Sequence, residues 1–517
     1  MKSRDKNVVW LLSIITIILI FLFAVRKEFI HATDSGFLIK TGEYIYQNLK
    51  IPDRDFFSHT FNGHPWLLDR WAPCLFFFLL YHFLGISGAI LVKAGIVAAG
   101  FLVLMVMLLQ EKRDPLIIFA ALILGAYVSR GRFLLRPQVI SMLIFAFQIY
   151  LTEQYLRNRG DRRTLIKLLI LLVVWANLHS EWAYGIIYLF SLCFTEIGNG
   201  IYQSCRVKTA GENETKESLP LLYLLLAGIG LSVFTVQLAN PNGSAVLLLP
   251  FRMAQNRFWD QAIFELMPVF PYPDFYVYCG VLFLGLILSY RKVEPRDLAL
   301  FLVFGVMVAL HRRVIHAFVL LTIPMMVRSW DQTLAEFRER VGKPGGILSS
   351  AGMFGRLGLP AGVSLLILFG IINQPGKVFG LGFHKNSYPA DIFNCIQEKK
   401  LSGNYFNYAD WGGAMILFLY PQVRVFIDGR YQDLYDDEFY RNTYLHIVSG
   451  FPDWENQIEI HGVEYILINS IRSPRLKENL ENNRRWKLIC TGDNAWLYGK
   501  MKSGSEGPGI PGTFPGG

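Results

Sequence analysis

The chain has 517 residues, 53% of them hydrophobic and only 17% charged, with a formal net charge of +10. A soluble domain carries about 25% charged residues, and the deficit lies in the first three-quarters of the chain, where apolar runs recur between short basic loops. The pattern excludes one large soluble core, and it assigns the Lys and Arg excess to loops between membrane spans, not to a nucleic-acid surface.

The first apolar run, Val8–Val25, follows a basic hexapeptide and ends without a small-residue cleavage site. It reads as an uncleaved first span with the N-terminus in the cytoplasm. The long loop 26–74 comes next, and its amphipathic stretch Gly36–Leu49 reads as a helix lying in the membrane interface. Leu75–Leu84 is too short to cross alone and reads as an interfacial helix or as the start of the second span. Further spans are expected at 86–109, 115–129, 137–156, 164–178, 183–200, 219–239, 275–290, 297–310, 314–327 and 358–373. That gives about eleven transmembrane helices. Lys93 is the clearest charge inside a span, placed to snorkel or to line a cavity.

Charge tests this register. Loops assigned inside hold 20 Lys and Arg in 72 residues, and those assigned outside hold 13 in 100, the bias that cytoplasmic loops carry. An odd number of spans then places residues 374–517 outside, on the side of the long first loop. Segment 374–500 returns to soluble composition. Val423–Ile427 and Tyr465–Ile468 read as buried strands, Asp433–Ile447 as helix, and Trp486–Cys490 with Trp496–Tyr498 as a terminal hairpin. The expected fold is a polytopic α-helical membrane protein, domain 1–373, with a small extracytoplasmic α/β domain at 374–500 and a disordered tail at 501–517. Six cysteines show no CxxC spacing, and Cys395 with Cys490 would pair only if that domain is extracytoplasmic and brings them close.

Three groups of residues suggest chemistry. Asp34 stands nine residues beyond the first apolar run, and Asp53, Asp55, His59, His64 and Asp69 follow it among aromatics. Carboxylates at a bilayer edge suit activation of an acceptor hydroxyl or binding of a divalent cation such as Mg or Mn; singly, most of them also read as turn residues. Arg130, Arg132 and Arg136, then His179 and Glu181, then Arg312 and Arg313 stand at three further outer turns. Outer arginine runs against the positive-inside bias, and its planar fork binds phosphate oxygens. Pairing with lipid headgroups or loop carboxylates is an equal reading of any single Arg, while three such groups at separate outer turns favour a shared anionic site. In the C-terminal segment, Asp410-Trp411-Gly412-Gly413 and Asp428-Gly429-Arg430-Tyr431 set Asp beside aromatics and Gly, as in glycan or peptide sites or as in simple strand-end turns. No nucleotide-binding motif is present.

The order of a first span, an outer Asp opening a long loop, many further spans and a C-terminal domain on the same side resembles the GT-C superfamily of membrane glycosyltransferases. These include protein O-mannosyltransferases, aminoarabinose transferases and oligosaccharyltransferases, which use polyprenyl-phosphate-linked sugars. Asp34-x-Gly36, Pro52-x-x-Asp55, Gly63-His64-Pro65-Trp66 and Gly85 are similar to the bacterial mannosyltransferase-like branch, and Asp410-Trp411-Gly412-Gly413 is faintly similar to an oligosaccharyltransferase signature. The resemblance implies Asp34 as catalytic base, with Asp55 as a further catalytic residue and the choice between Asp53 and Asp55 for the second carboxylate left open. It implies a donor phosphate among the five arginines, with His64, His179, Glu181, Asp410 and Trp411 binding donor or acceptor. Ser35 stands where many members carry a second acidic residue, which leaves the metal open. The implied partners are a polyprenyl-phosphate sugar, membrane lipids and an extracytoplasmic acceptor, in a bacterial plasma membrane and its cell envelope. A transporter or flippase of a lipid-linked or anionic solute, a glycan polymerase or ligase, and an assembly scaffold are the competing readings.

Overall fold

The computed structural model describes residues 3–29, 33–158, 161–206, 211–255, 258–259, 263, 266–269, 272–340, 353–373 and 376–501. The expected tail at 502–517 lies outside the described residues. The chain divides into two compact units. The first comprises residues 1–28, 38–53 and 67–384, and the second 29–37, 54–66 and 385–517. The long first loop is therefore shared: two of its segments fold with the C-terminal region, where one cut near residue 373 had been expected.

The first unit is helical. Its longer helices are α1 (Ser3–Ala24), α3 (Trp71–Gln110), α4 (Pro115–Ser129), α5 (Gln138–Arg157), α6 (Arg162–Leu178), α7 (Trp182–Arg206), α8 (Gly211–Ala239), then Pro273–Leu288, Pro295–Leu310, Ile315–Arg340 and Met353–Ile372. Among the described residues, six helices are long and apolar enough to cross a membrane. Local chemistry sets the starts. Asp114 caps α4 by accepting from Leu116 N at 2.9 Å, with Pro115 in the first turn, and Asp161 caps α6 by accepting from Arg163 N at 3.0 Å. The run 71–110 is two helices joined across a kink at Gly85, which has φ 64° and ψ −179°, a conformation open essentially to glycine alone. Leu75–Leu84 is thus the first of two segments. Lys93 is fully buried and paired with Glu28 at 2.9 Å, and Glu28 also accepts from Leu135 N at 3.1 Å.

The second unit is α/β. Its five strands are β1 (Gly403–Asn407), β2 (Val423–Val425), β3 (Tyr465–Asn469), β4 (Trp486–Thr491) and β5 (Ala495–Lys500), in the order β2-β1-β3-β5-β4. β1 runs parallel to β2 and β3, while β5 is antiparallel to β3 and to β4. Residues 57–59 of the first loop pair with Val425 along the open edge of β2. Backbone bonding of this kind leaves that edge no longer exposed. Phe406, Phe426, Tyr444, Trp454 and Ile466 form part of the core beneath. The expected helix at 433–447 is a short helix at Tyr431–Leu434 followed by a continuous helical run over 437–448 that contains a π segment at Tyr440–Tyr444. Cys395 and Cys490 form a disulfide with Cα atoms 6.7 Å apart.

Candidate functional site

In the second unit, Asp34 opens the helix α2 (Asp34–Asn48). Three glycines bring backbone to it at distances no side chain permits. A β-carbon at Gly36 would lie 2.0 Å from the Gly413 carbonyl oxygen, and one at Gly413 equally close to the Thr33 carbonyl. One at Gly429 would fall 2.1 Å from Asp34 Oδ1. Thr33 Oγ1 donates to the Asp410 carbonyl at 2.7 Å, closing the same junction. The segments 33–36, 410–413 and 428–430, far apart in sequence, thus meet around Asp34, 410–413 against the backbone at 33–36 and Gly429 against the carboxylate.

The flanking groups differ in what they leave available. Tyr431 donates to Asp410 Oδ1 at 3.4 Å. Burial pushes the Asp410 carboxyl above its usual range, against the pull of the Tyr408 and Tyr431 hydroxyls. Burial also pushes the Tyr431 hydroxyl well up, and the charges of Asp410 and Asp34 add to the effect. Beside this cluster lies a saturated triad. Arg430 donates through Nη1 to Asp55 at 2.5 Å, and through Nη2 and Nε to Asp428 at 2.6 and 2.8 Å. Its guanidinium lies 4.7 Å from the Trp66 ring centroid. Asp55 accepts further from Phe57 N, Ser58 N and Ser58 Oγ, and Asp428 from Tyr435. All three charged side chains are fully buried. The attraction of two carboxylates overcomes the burial of Arg430 and holds its pKa well above the usual value. Asp55 therefore has no oxygen turned to a reactant, and its geometry is that of a positioning group. His64 is exposed and tilts on Phe61, and Trp411 is a buried ring set edge-on to Tyr408.

In the first unit, the turn between α6 and α7 carries His179 and Glu181. His179 Nδ1 is bonded to Ser141 Oγ at 2.9 Å, and Ser141 accepts from Trp175 Nε1 at 2.9 Å. His316 Nε2 is bonded to Glu181 Oε2 at 3.2 Å. Glu181 Oε1 and His316 Nδ1 are buried without a hydrogen-bond partner among the described residues. Tyr184, one turn beyond Glu181, bonds Arg313 and lies within electrostatic reach of Arg132. Arg132, Arg313, Glu181 and His316 consequently share one neighbourhood. The other arginines are placed differently. Arg130 pairs with Asp274 at 2.7 Å over the Tyr127 ring, Arg312 is buried and donates to the Pro268 carbonyl at 3.3 Å, and Arg136 is buried.

Three carboxylates stand near Asp34 within its unit, and two of these, Asp55 and Asp428, are committed to Arg430. Among the described residues no group of three or more His, Cys, Asp or Glu is arranged to hold a metal ion.

No family model matches the sequence, and no curated protein sequence does. Solved structures do. The oligosaccharyltransferase of the archaeon Archaeoglobus fulgidus in its apo form matches with a TM-score of 0.56 and 10% identity, over 98% of this chain and 75% of that one. The same enzyme with an inhibitory peptide and a dolichol-phosphate matches at 0.55 and 11%, over 98% and 75%. With Zn and sulfate it matches at 0.51 and 10%, over 89% and 67%. The fold is that of the archaeal oligosaccharyltransferase. Sequence reading does not single out Ser141 or Tyr184, and it names Asp428 and Arg430 without their pairing to Asp55. The available signals were Tyr184 at i+3 from Glu181 on one helix face, and Asp followed within three residues by Gly in each of the three converging segments.

Proposed function

We propose that the protein is a GT-C glycosyltransferase that moves a sugar from a polyprenyl-phosphate donor to an extracytoplasmic acceptor, a lipid, glycan or protein. The convergence of three Asp-Gly segments around Asp34 carries this reading. The acceptor hydroxyl gives its proton to Asp34, and its oxygen bonds the sugar's anomeric carbon as the bond to phosphate breaks. The electron pair leaves with the polyprenyl phosphate. Arg132 and Arg313 stabilise the charge that grows on the leaving phosphate, with Arg130, Arg136 and Arg312 shaping the turns that carry them. Glu181 Oε1 and His316 Nδ1, buried and unpartnered, are offered to donor hydroxyls, and His179 orients Glu181. Asp410, with Trp411 behind it and His64 at the surface, serves the acceptor. Asp55 acts through Arg430 by fixing the 428–430 turn against which Asp34 is held.

The reading includes eleven spans in a bacterial plasma membrane, a cytoplasmic N-terminus and an extracytoplasmic second unit, supported by the bias of Lys and Arg among the loops. The dolichol-phosphate and peptide bound by the archaeal enzyme support a lipid-linked donor and an outer acceptor in general terms. The test is transfer from a labelled polyprenyl-phosphate sugar in membranes. Asp34→Asn lowers transfer about 10²-fold or more and leaves the melting temperature in place. Full activity in that variant would falsify the mechanism.

A further inference from the structure

His316 and Arg328 stand on one helix, twelve residues and so about 18 Å apart. Around Arg328, at the opposite end of the first unit from the Glu181–His316 pair, lies a cavity of about 540 Å³. Among the described residues it is lined by five cationic and five anionic side chains. Its formal charge is balanced but not evenly satisfied. Glu111 accepts from Arg328 at 2.7 and 3.0 Å, from Arg113 at 3.2 Å and from Arg157. Asp297 faces Arg296 and Arg328 only at 3.8 Å, beyond hydrogen-bond reach, although its side chain is 13% exposed. The cations at the rim are the accessible ones: Arg157 and Lys292 are 43% and 51% exposed. Leu286, Val293 and Met325 complete the wall, and the neighbouring Leu284, Ile287 and Leu288 present their side chains outward.

We propose that this cavity binds the headgroup of a membrane phospholipid that carries a primary amine, a phosphatidylethanolamine. The ammonium enters toward Asp297, which offers acceptor oxygens without a close donor. The phosphodiester stays at the rim against Arg157 and Lys292, and the acyl chains lie along the exposed aliphatic face of Pro273–Leu288. An anionic headgroup brings nothing to neutralise Asp297. A quaternary choline brings the charge without an N–H to donate, so the site separates amine from trimethylamine by hydrogen bonding. The proposal rests on the membrane reading and not on the transfer chemistry, so transfer activity does not bear on it.

The test uses the full chain, delipidated in detergent and returned to an equimolar mixture of phosphatidylethanolamine, phosphatidylcholine and phosphatidylglycerol of matched chains. Native mass spectrometry reads the retained lipid. The expected result is retention of the ethanolamine lipid about tenfold over the choline lipid, the worth of one charge-assisted hydrogen bond. Asp297→Asn brings that ratio close to one, and Asp297→Glu restores it. Equal retention of the three lipids, preference for the glycerol lipid, or an unchanged ratio in Asp297→Asn overturns the proposal. Soluble glycerophosphoethanolamine bound as tightly as the diacyl lipid overturns the lipid source. If Asp297→Asn does not fold, the wild-type ratio between ethanolamine and choline lipids decides alone.

Discussion

Both units bury charge, and they treat it in opposite ways. In the second, Arg430 is enclosed by Asp55 and Asp428, and backbone or hydroxyl donors take the remaining carboxylate oxygens. In the first, Glu181 and His316 bond each other through one atom apiece and leave the second atom of each without a partner. A closed network holds a shape, because every desolvated group is compensated inside the protein. A network with unpartnered buried atoms bears a desolvation cost that a ligand can offset. The comparison teaches where to look for structure and where to look for binding.

The largest expected effect on stability comes from the staple of the second unit. Replacing Cys395 and Cys490 by Ala reopens a loop of 95 residues, which costs about 4–5 kcal/mol in the chain-entropy picture. Limited proteolysis is expected to cut the region 385–501 first. Next is Arg430→Met, which leaves two buried carboxylates facing each other and costs about 3–5 kcal/mol. If its melting temperature matches wild type, the triad is not the closed network described.

The third prediction concerns pH. Burial lowers the His59 pKa to about 4, against the bond its ring makes with the Tyr405 carbonyl. The folded state therefore needs the neutral ring. Its contribution is complete above the free value near 6.5 and is lost as pH falls from there to about 4, up to about 3 kcal/mol in all. Melts between pH 7.5 and 4.5 are expected to show a smaller acid loss in His59→Gln than in wild type; an equal loss rules out this residue as the source.

The smallest stability changes belong to the Glu181–His316 pair. Glu181→Gln keeps the shape and removes the charge, and is expected to lower donor transfer by about tenfold or more. Its melting temperature should move less than that of Arg430→Met. The reverse order, a large melting shift with activity intact, would make the first-unit network the structural one. Gly429→Ala sharpens the same point in the second unit. Its methyl group displaces the Asp34 carboxylate, so activity falls further than stability.

Much of this was legible in sequence. Apolar runs between short basic loops located the helices, because a backbone in lipid must satisfy its own hydrogen bonds and does so locally. Strands Val423–Val425 and Tyr465–Asn469 and the terminal hairpin were marked by short apolar runs between turn residues, since that pattern is also local. Asp34 was marked by its fixed distance from the first span. What the sequence did not contain was which Asp faces which cation. Asp55 and Asp428 look like Asp34 and Asp410 on the page, each beside Gly or aromatics. Only the folding of 54–66 onto the edge of β2 places Asp55 against Arg430, and only the approach of Gly413 and Gly429 reserves the space beside Asp34. Local periodicity determines the elements because it acts between near neighbours; the partners of a buried charge are decided by chain segments hundreds of residues apart, which meet only in the tertiary structure.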